Sequence, residues 1–302
     1  MSGIKYYAPF PIVGLGLGVS SVVYAVENFG VEVLLNNMTG TTKSSITIGV
    51  KTSVDYGVEL TALNKLVDWF VDKGAQNHAF DIKTNILFKY LNFNNVFVSV
   101  VAGVAVACND AIGKPFERRE IFDMLRSNLV YDGGVVFWNK LACCLIGGLV
   151  LGNQGKSIAE YRRISMPYGF CSIGLFSKDI AVNNSLTANF NEQTVVDALN
   201  LCFCLDRSDF VGFEQICSNS SKNINGLNDV EQLFVEIVVD KGGGYFLHPS
   251  NQSKRALFAI VINDFIGAEV LAEFDKKTKK HSSDNAYKAV VLRHNLEGVY
   301  RL

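Results

Sequence analysis

Residues Asn92 to Pro115 read N-F-N-N-V-F-V-S-V-V-A-G-V-A-V-A-C-N-D-A-I-G-K-P. A cluster of asparagines comes first, then an almost unbroken run of small and apolar residues, then a Gly-Lys-Pro stop. The run from Val96 to Cys108 is too short to cross a bilayer, which needs about 20 apolar residues. Small side chains at Ala102, Gly103, Ala105 and Ala107 let a helix lie close to its neighbours, so the stretch predicts a helix buried in the core. Its N-terminus falls just after the asparagines, where free N–H groups and the helix dipole favour an anion. Asn92, Asn94 and Asn95 either cap this helix or hold a ligand, and Ser99 is a further candidate ligand group.

Around this helix the element types alternate. Lys5 to Pro9, Val31 to Leu35, Ile46 to Lys51 and Ala79 to Phe88 read as strands. Val58 to Lys73 carries apolar residues at Leu60, Leu63, Leu66, Val67, Phe70 and Val71, the spacing of an amphipathic helix, and Gly74 stops it. Phe116 to Asn128 reads as a charged surface helix. Leu145 to Leu151 and Phe170 to Phe176 read as buried strands, with Asn139 and Lys140 at an exposed helix start. The second half predicts a helix from Gln193 to Cys204, a polar loop from Ser218 to Asn228 and a strand around Leu233 to Val239. A helix capped by Ser253 and running to Phe265 follows, then a solvated loop from Glu273 to Asp284 and a final strand.

Composition narrows the function classes. The chain has 302 residues, and 28 Lys and Arg against 29 Asp and Glu leave a net charge of −1. Such a balance offers no basic field for nucleic acid or an anionic membrane. The segment Met1 to Phe10 lacks the layout of a secretory signal, which predicts a cytoplasmic protein. Seven cysteines, an odd number without a C-x-x-C, suggest neither a disulfide framework nor a zinc site. His78, His248, His281 and His294 show no ligand spacing.

Several of these segments, in order, resemble the GHMP small-molecule kinases, and homoserine kinase in particular. Ala8-Pro9 followed by Gly14, Gly16, Gly18 and Ser20 is similar to the family's strand and G-x-G turn. Val101 to Val104 and Gly113-Lys114-Pro115 match the family's helix after the phosphate loop. Phe137 to Gly148 aligns with the family's H-A-D-N-V-A-P-S-L-L-G-G, keeping the apolar half and the Gly-Gly. Asp240 to Phe246, with Gly242, Gly243 and Gly244, stands at the third glycine-rich loop, and the tail Ala289 to Val299 resembles the closing strand with its Glu-Gly turn.

The resemblance implies an α+β protein of the two-domain GHMP kinase fold. A mixed N-terminal domain over residues 1–155 would be followed by a ferredoxin-like C-terminal domain over residues 156–302. The implied activity is transfer of the ATP γ-phosphate, with Mg, to the hydroxyl of homoserine in threonine synthesis. It places the nucleotide at Asn92, Asn94, Asn95, Ser99 and Gly242 to Gly244, and the acceptor at Gly14, Gly16, Gly18, Ser20, Asn139 and Lys140. A small-molecule partner is implied, a homodimer is allowed, and neither nucleic acid nor a membrane is expected.

The polar half of each motif departs from the family. The phosphate loop is replaced by Tyr90 to Val96, without glycine or serine, although such loops need glycine to let the backbone approach phosphate oxygens. The family's pocket aspartate is Ser20 here. Its magnesium carboxylate falls near Ser127 and Leu129, with Asp123 and Asp132 as imperfect stand-ins, and its substrate arginine falls near Ala188. Two readings stand side by side: a divergent homoserine kinase, and a catalytically silent member of the fold that acts by binding. Gly14 to Gly18 is either a turn at the site or a strand connection, and Gly242 to Gly244 either an anion cradle or a plain loop.

Overall fold

The computed structural model describes residues 3–15, 20–38, 43–49, 57–74, 79–87, 93–131, 134–153, 161–164, 170–177, 192–221, 227–248, 256–280 and 287–302. The chain divides into two compact units. The first comprises Met1–Ile12, Val23–Arg163 and His294–Leu302, and the second Val13–Val22 with Ile164–Arg293. The main crossing falls between Arg163 and Ile164, and the C-terminal segment returns to the first unit, where it adds a strand.

The first unit is built on a mixed sheet. β1 (Ile4–Leu15) lies between β2 (Ser20–Met38) and β11 (Tyr300–Arg301), and β2 pairs antiparallel with β4 (Ala79–Ile86). β3 (Ser45–Ile48) runs parallel to β4 at the edge, while β5 (Leu149–Asn153) pairs with β2 and with β6 (Arg162–Ile164). Among the described residues four helices belong to this unit: α1 (Gly57–Lys73), α2 (Phe93–Ala111), α3 (Arg118–Asn128) and α4 (Gly134–Ile146).

α2 is the expected core helix, buried from Val96 to Asn109. Gly103 explains how close it lies to the sheet: a Cβ there would come within 2.7 Å of Val33 Cγ2 and 3.2 Å of Ala8 Cβ. Its stop is visible in detail. Gly113 (φ +98°) and Lys114 (φ +59°) take left-handed conformations, and the Lys114 N–H donates to the Asn109 carbonyl at 2.7 Å. The Asn109 side chain then holds both the N–H (3.1 Å) and the carbonyl (2.9 Å) of Phe116 beyond Pro115. A lysine in the left-handed region is strained by about 1–2 kcal/mol, while glycine adds unfolded-chain freedom of roughly 0.5–1 kcal/mol. Lys114→Gly is therefore expected to stabilise the protein by about 0.5–1 kcal/mol, read as a higher urea midpoint with an unchanged slope; a lower midpoint contradicts the account.

The segment after α3 differs from expectation. α4 continues to Ile146, so Leu145 is helical and Asn139 lies in mid-helix, fully buried, rather than at an exposed start. Gly147 and Gly148, both at positive φ (70° and 75°), end the helix and turn the chain into β5.

The second unit carries β7 (Cys171–Ser177), α5 (Glu192–Asp206), α6 (Phe210–Ser221), α7 (Asp229–Asp240), β8 (Gly244–His248), β9 (Ala256–Val261), α8 (Asp264–Lys280) and β10 (Tyr287–Leu292). Its sheet has the order β10-β7-β9-β8 with every pair antiparallel. Strand order and chain order together are the ferredoxin-like β-α-β-β-α-β arrangement, with α5 and α6 added before α7. Ile173, Leu175, Leu257 and Ala259 of the sheet pack with Phe234, Ile237 and Val238 of α7 and with Val270 and Phe274 of α8.

Four expectations fail here. Leu233 to Val239 is helical, because Phe234, Ile237 and Val238 are buried at helical spacing and Asn228 with Glu231 forms a capping box. Ala256–Val261 is a strand, and the helix expected up to Phe265 instead begins at Asp264; Ser253 lies outside the described residues. The charged stretch from Glu273 to Lys280 is the last part of α8 rather than a loop, with Phe274 buried and a 2.8 Å Glu273–Lys277 pair on its exposed face. Likewise Ser218 to Ser221 belongs to α6.

Candidate functional site

The expected site residues fall in both units. In the first, Asn94 and Asn95 occupy the opening turn of α2, and Asn92 lies outside the described residues. Ser99 is fully buried one turn further on. Its hydroxyl donates to the Pro9 carbonyl of β1 at 2.8 Å and lies 3.9 Å from Cys144 Sγ on α4. A hydroxyl so engaged holds α2 to β1.

Asn139 and Lys140 part company although they are neighbours in sequence. The Asn139 carboxamide accepts the Tyr161 hydroxyl at 2.9 Å, and a Cβ on Gly152 of β5 would come within 2.7 Å of it. Lys140 is half-buried. Burial pulls its ammonium down to about 8, with a nearby Cys144 acting weakly in the other direction. Burial also pushes the Cys144 thiol up to about 12 and the Cys143 thiol well above its usual value, so neither is a thiolate near neutral pH.

The positions where the resemblance places a magnesium carboxylate are otherwise occupied. The Ser127 hydroxyl donates to its own helix at the Asp123 carbonyl (2.9 Å), and Leu129 is buried. Asp123 is exposed on α3 and Asp132 lies outside the described residues. Among the described residues, no group of three or more His, Cys, Asp or Glu side chains could hold a metal ion. Nor is any helix long and apolar enough to cross a membrane.

In the second unit the triple glycine closes a helix. The Gly242 N–H donates to the Val239 carbonyl and the Gly243 N–H to the Val238 carbonyl, both at 2.9 Å, with Gly242 at φ +71°. Gly243 is needed for close packing, since a Cβ there would lie 2.7 Å from Val261 Cγ1 and 2.8 Å from Val238 Cγ1. These amides sit at the negative end of the α7 dipole, which disfavours an anion. Gly244 begins β8. Gly14 is part of β1 and Ser20 opens β2, while Gly16, Gly18 and Ala188 lie outside the described residues.

Two of the glycine pairs form a structural junction in the first unit. Gly147-Gly148 and Glu297-Gly298, far apart in sequence, meet. The Gly148 N–H donates to the Asn295 carbonyl (2.7 Å), the Asn295 N–H to the Ala25 carbonyl (2.9 Å) and the Ala25 N–H to the Gly148 carbonyl (3.0 Å). The Asn295 side chain accepts the Gly298 N–H at 2.7 Å. Arg118, which sequence reasoning did not single out, bridges the carbonyls of Leu145 (2.9 Å) and Glu297 (2.7 Å).

This architecture has counterparts among solved structures. Homoserine kinase from Cytophaga hutchinsonii superposes with a TM-score of 0.73 at 14% identity, covering 100% of this chain and 98% of that one. The chain has the GHMP kinase fold. The same fold is met in a candidate sugar kinase from Campylobacter jejuni (TM-score 0.68, 14% identity, 100% and 98% covered). It recurs in mevalonate diphosphate decarboxylase from Enterococcus faecalis, whose binding of ATP is mediated by mevalonate diphosphate (TM-score 0.65, 14% identity, 100% and 99% covered). No protein-family model and no curated protein matches the sequence. In this chain the junction glycines close the packing and α2 is buried, while the Ser99 and Asn139 side chains are engaged inside the protein.

Proposed function

We propose that this protein is a catalytically silent member of the GHMP kinase fold, acting by binding rather than by phosphoryl transfer. The observation that carries this reading is the engagement of three of the expected nucleotide donors, Ser99, Gly242 and Gly243, inside the fold. The amides of Gly242 and Gly243 bond to α7, and the Ser99 hydroxyl bonds to Pro9. Phosphoryl transfer is mostly positioning and charge neutralisation, and groups already engaged in the fold supply neither. Ser127 and Leu129, where a magnesium-holding carboxylate belongs by resemblance, extend the same pattern. The described residues therefore do not fit Mg-ATP in the way the resemblance implies.

The competing reading is a divergent homoserine kinase, supported by the likeness to the Cytophaga enzyme's fold. Nucleotide binding separates the two. A ligand that binds only the folded state at 100 times its Kd adds about 2.7 kcal/mol of stability. Millimolar Mg-ATP is expected to leave the melting temperature where magnesium chloride alone leaves it. A rise of several degrees specific to the nucleotide would overturn the silent reading.

A further inference from the structure

Helix α8 is fastened by one face and turns an aromatic side chain to solvent on the other. Val270 and Phe274 are buried in the core of the second unit, and Gly267 lies so close to β7 that a Cβ there would fall onto the Cys171 Sγ. The first turn is fixed as well: the Asn263 side chain accepts the Ile266 N–H at 2.8 Å, and its carbonyl accepts the Gly267 N–H at 3.0 Å. At 100° per residue these contacts leave Phe265, Ala268, Ala272 and Lys276 along the outer face, all exposed. Phe265 is 71% exposed, and Ile262, just before the helix, 42%. A ring held in water by a capped and packed turn costs free energy that a covering surface recovers.

The charges on this face select what covers it. Its N-terminal half carries Asp264 and Glu269, and its C-terminal half Lys276, followed in sequence by Lys279 and Lys280. A second copy of the helix, laid antiparallel, meets each end with its opposite, and the opposed dipoles favour the same orientation. We propose that α8 is a homodimer surface, with two copies packing antiparallel about a two-fold axis at Ala272. Ala268 of each copy then lies level with Lys276 of the other, and the small side chains of Ala268 and Ala272 let the helices approach closely. Glu269 and Lys276 share one flank of the face, so each Glu269 meets the other copy's Lys276, while Phe265 faces the lysine-rich last turn. Glu269 binds Lys241 through Oε2 at 3.1 Å, which leaves Oε1 for the second cation. Asp264 and Asp275 share the opposite flank, but this register keeps them about five residues, roughly 7–8 Å, apart along the axis. A helix of 17 residues buries well under the ~800 Å² per partner of a standard interface, so the dimer is weak and forms with concentration. The proposal goes beyond the silent-binding reading and does not depend on it.

Sedimentation velocity of the full-length protein, from roughly 1 μM to 1 mM, tests the surface. The sedimenting mass is expected to rise from one chain towards two. Phe265→Ala is expected to raise the dissociation constant about tenfold. The melting temperature of the dilute protein should stay where it is, because the ring is exposed. Glu269→Lys and Lys276→Glu are each expected to remain single chains throughout. An equimolar mixture of these two variants is expected to dimerise again, because each supplies the charge that the other has lost. A single chain at every concentration overturns the proposal, as does a dimer unmoved by Phe265→Ala or a mixture that fails to restore it. Growth beyond two chains also overturns it, since that would mean head-to-tail contact of acidic and basic ends rather than a closed two-fold pair.

Discussion

Gly298→Ala and Gly147→Ala are each expected to destabilise the first unit by about 3–5 kcal/mol, a large share of the roughly 5–15 kcal/mol that holds a domain folded. Both residues have positive φ, 74° and 70°. A Cβ on Gly298 would fall onto the Leu145 carbonyl oxygen and 2.7 Å from that of Cys144; one on Gly147 would fall onto the Gly298 nitrogen and 2.7 Å from that of Glu297. Backbone cannot swing aside as a side chain does. Here it is also pinned by the hydrogen bonds among Ala25, Gly148 and Asn295 and by Arg118. Gly113→Ala is the control: its φ is +98°, yet nothing lies within 4 Å of the added carbon. Strain alone predicts a loss of about 1–2 kcal/mol there. Urea unfolding followed by circular dichroism measures all three, and equal losses would show that the junction is not what these glycines serve.

The same junction explains what was legible in the sequence. Gly-Gly at Gly147 and Glu-Gly at Glu297 stand out because the backbone there admits no side chain, so the fold itself writes them into the chain. α2 was legible for a similar reason: a helix buried from Val96 to Asn109 must be small and apolar almost throughout. α7 was not read correctly, since Leu233 to Val239 is a short apolar, β-branched run whose length fits a strand as well as a helix. Its start signal was present nonetheless, in Asn228 with Glu231 three residues on, each side chain accepting the other's N–H. β9 was missed because Leu257 to Val261 is buried on both faces, which removes the alternation that marks a strand.

The candidate site was legible only in part. Lys140 was singled out by its place in a motif, but its half-burial depended on α4 running past Cys144, which the apolar run disguised as a strand. The hold on Asn139 comes from Tyr161, 22 residues away, and no local pattern announces it. The engagement of the Gly242 and Gly243 amides follows from α7 being a helix, so the misread element also hid what the triple glycine does. Side-chain chemistry at a site depends on long-range contacts in a way that helix and turn patterns do not.

Purified protein is expected to give no homoserine-dependent ATP turnover. Removing one preorganised contact to developing charge typically costs about 10²–10³ in rate. By the resemblance, the phosphate-loop glycines give way to Leu91, Phe93, Asn94 and Val96, the magnesium carboxylate to Ser127 and Leu129, and the acceptor aspartate to Ser20. Such losses do not simply multiply, because groups that act as a unit are not independent, but the first of them alone removes most of the rate.

A coupled assay of ADP release with Mg-ATP, with and without homoserine, tests the silent reading most directly. The account predicts equal traces with and without homoserine, both indistinguishable from a protein-free blank. Steady homoserine-dependent ADP release that scales with the amount of folded protein would contradict it and would show that this chain transfers phosphate by a chemistry other than the glycine loop.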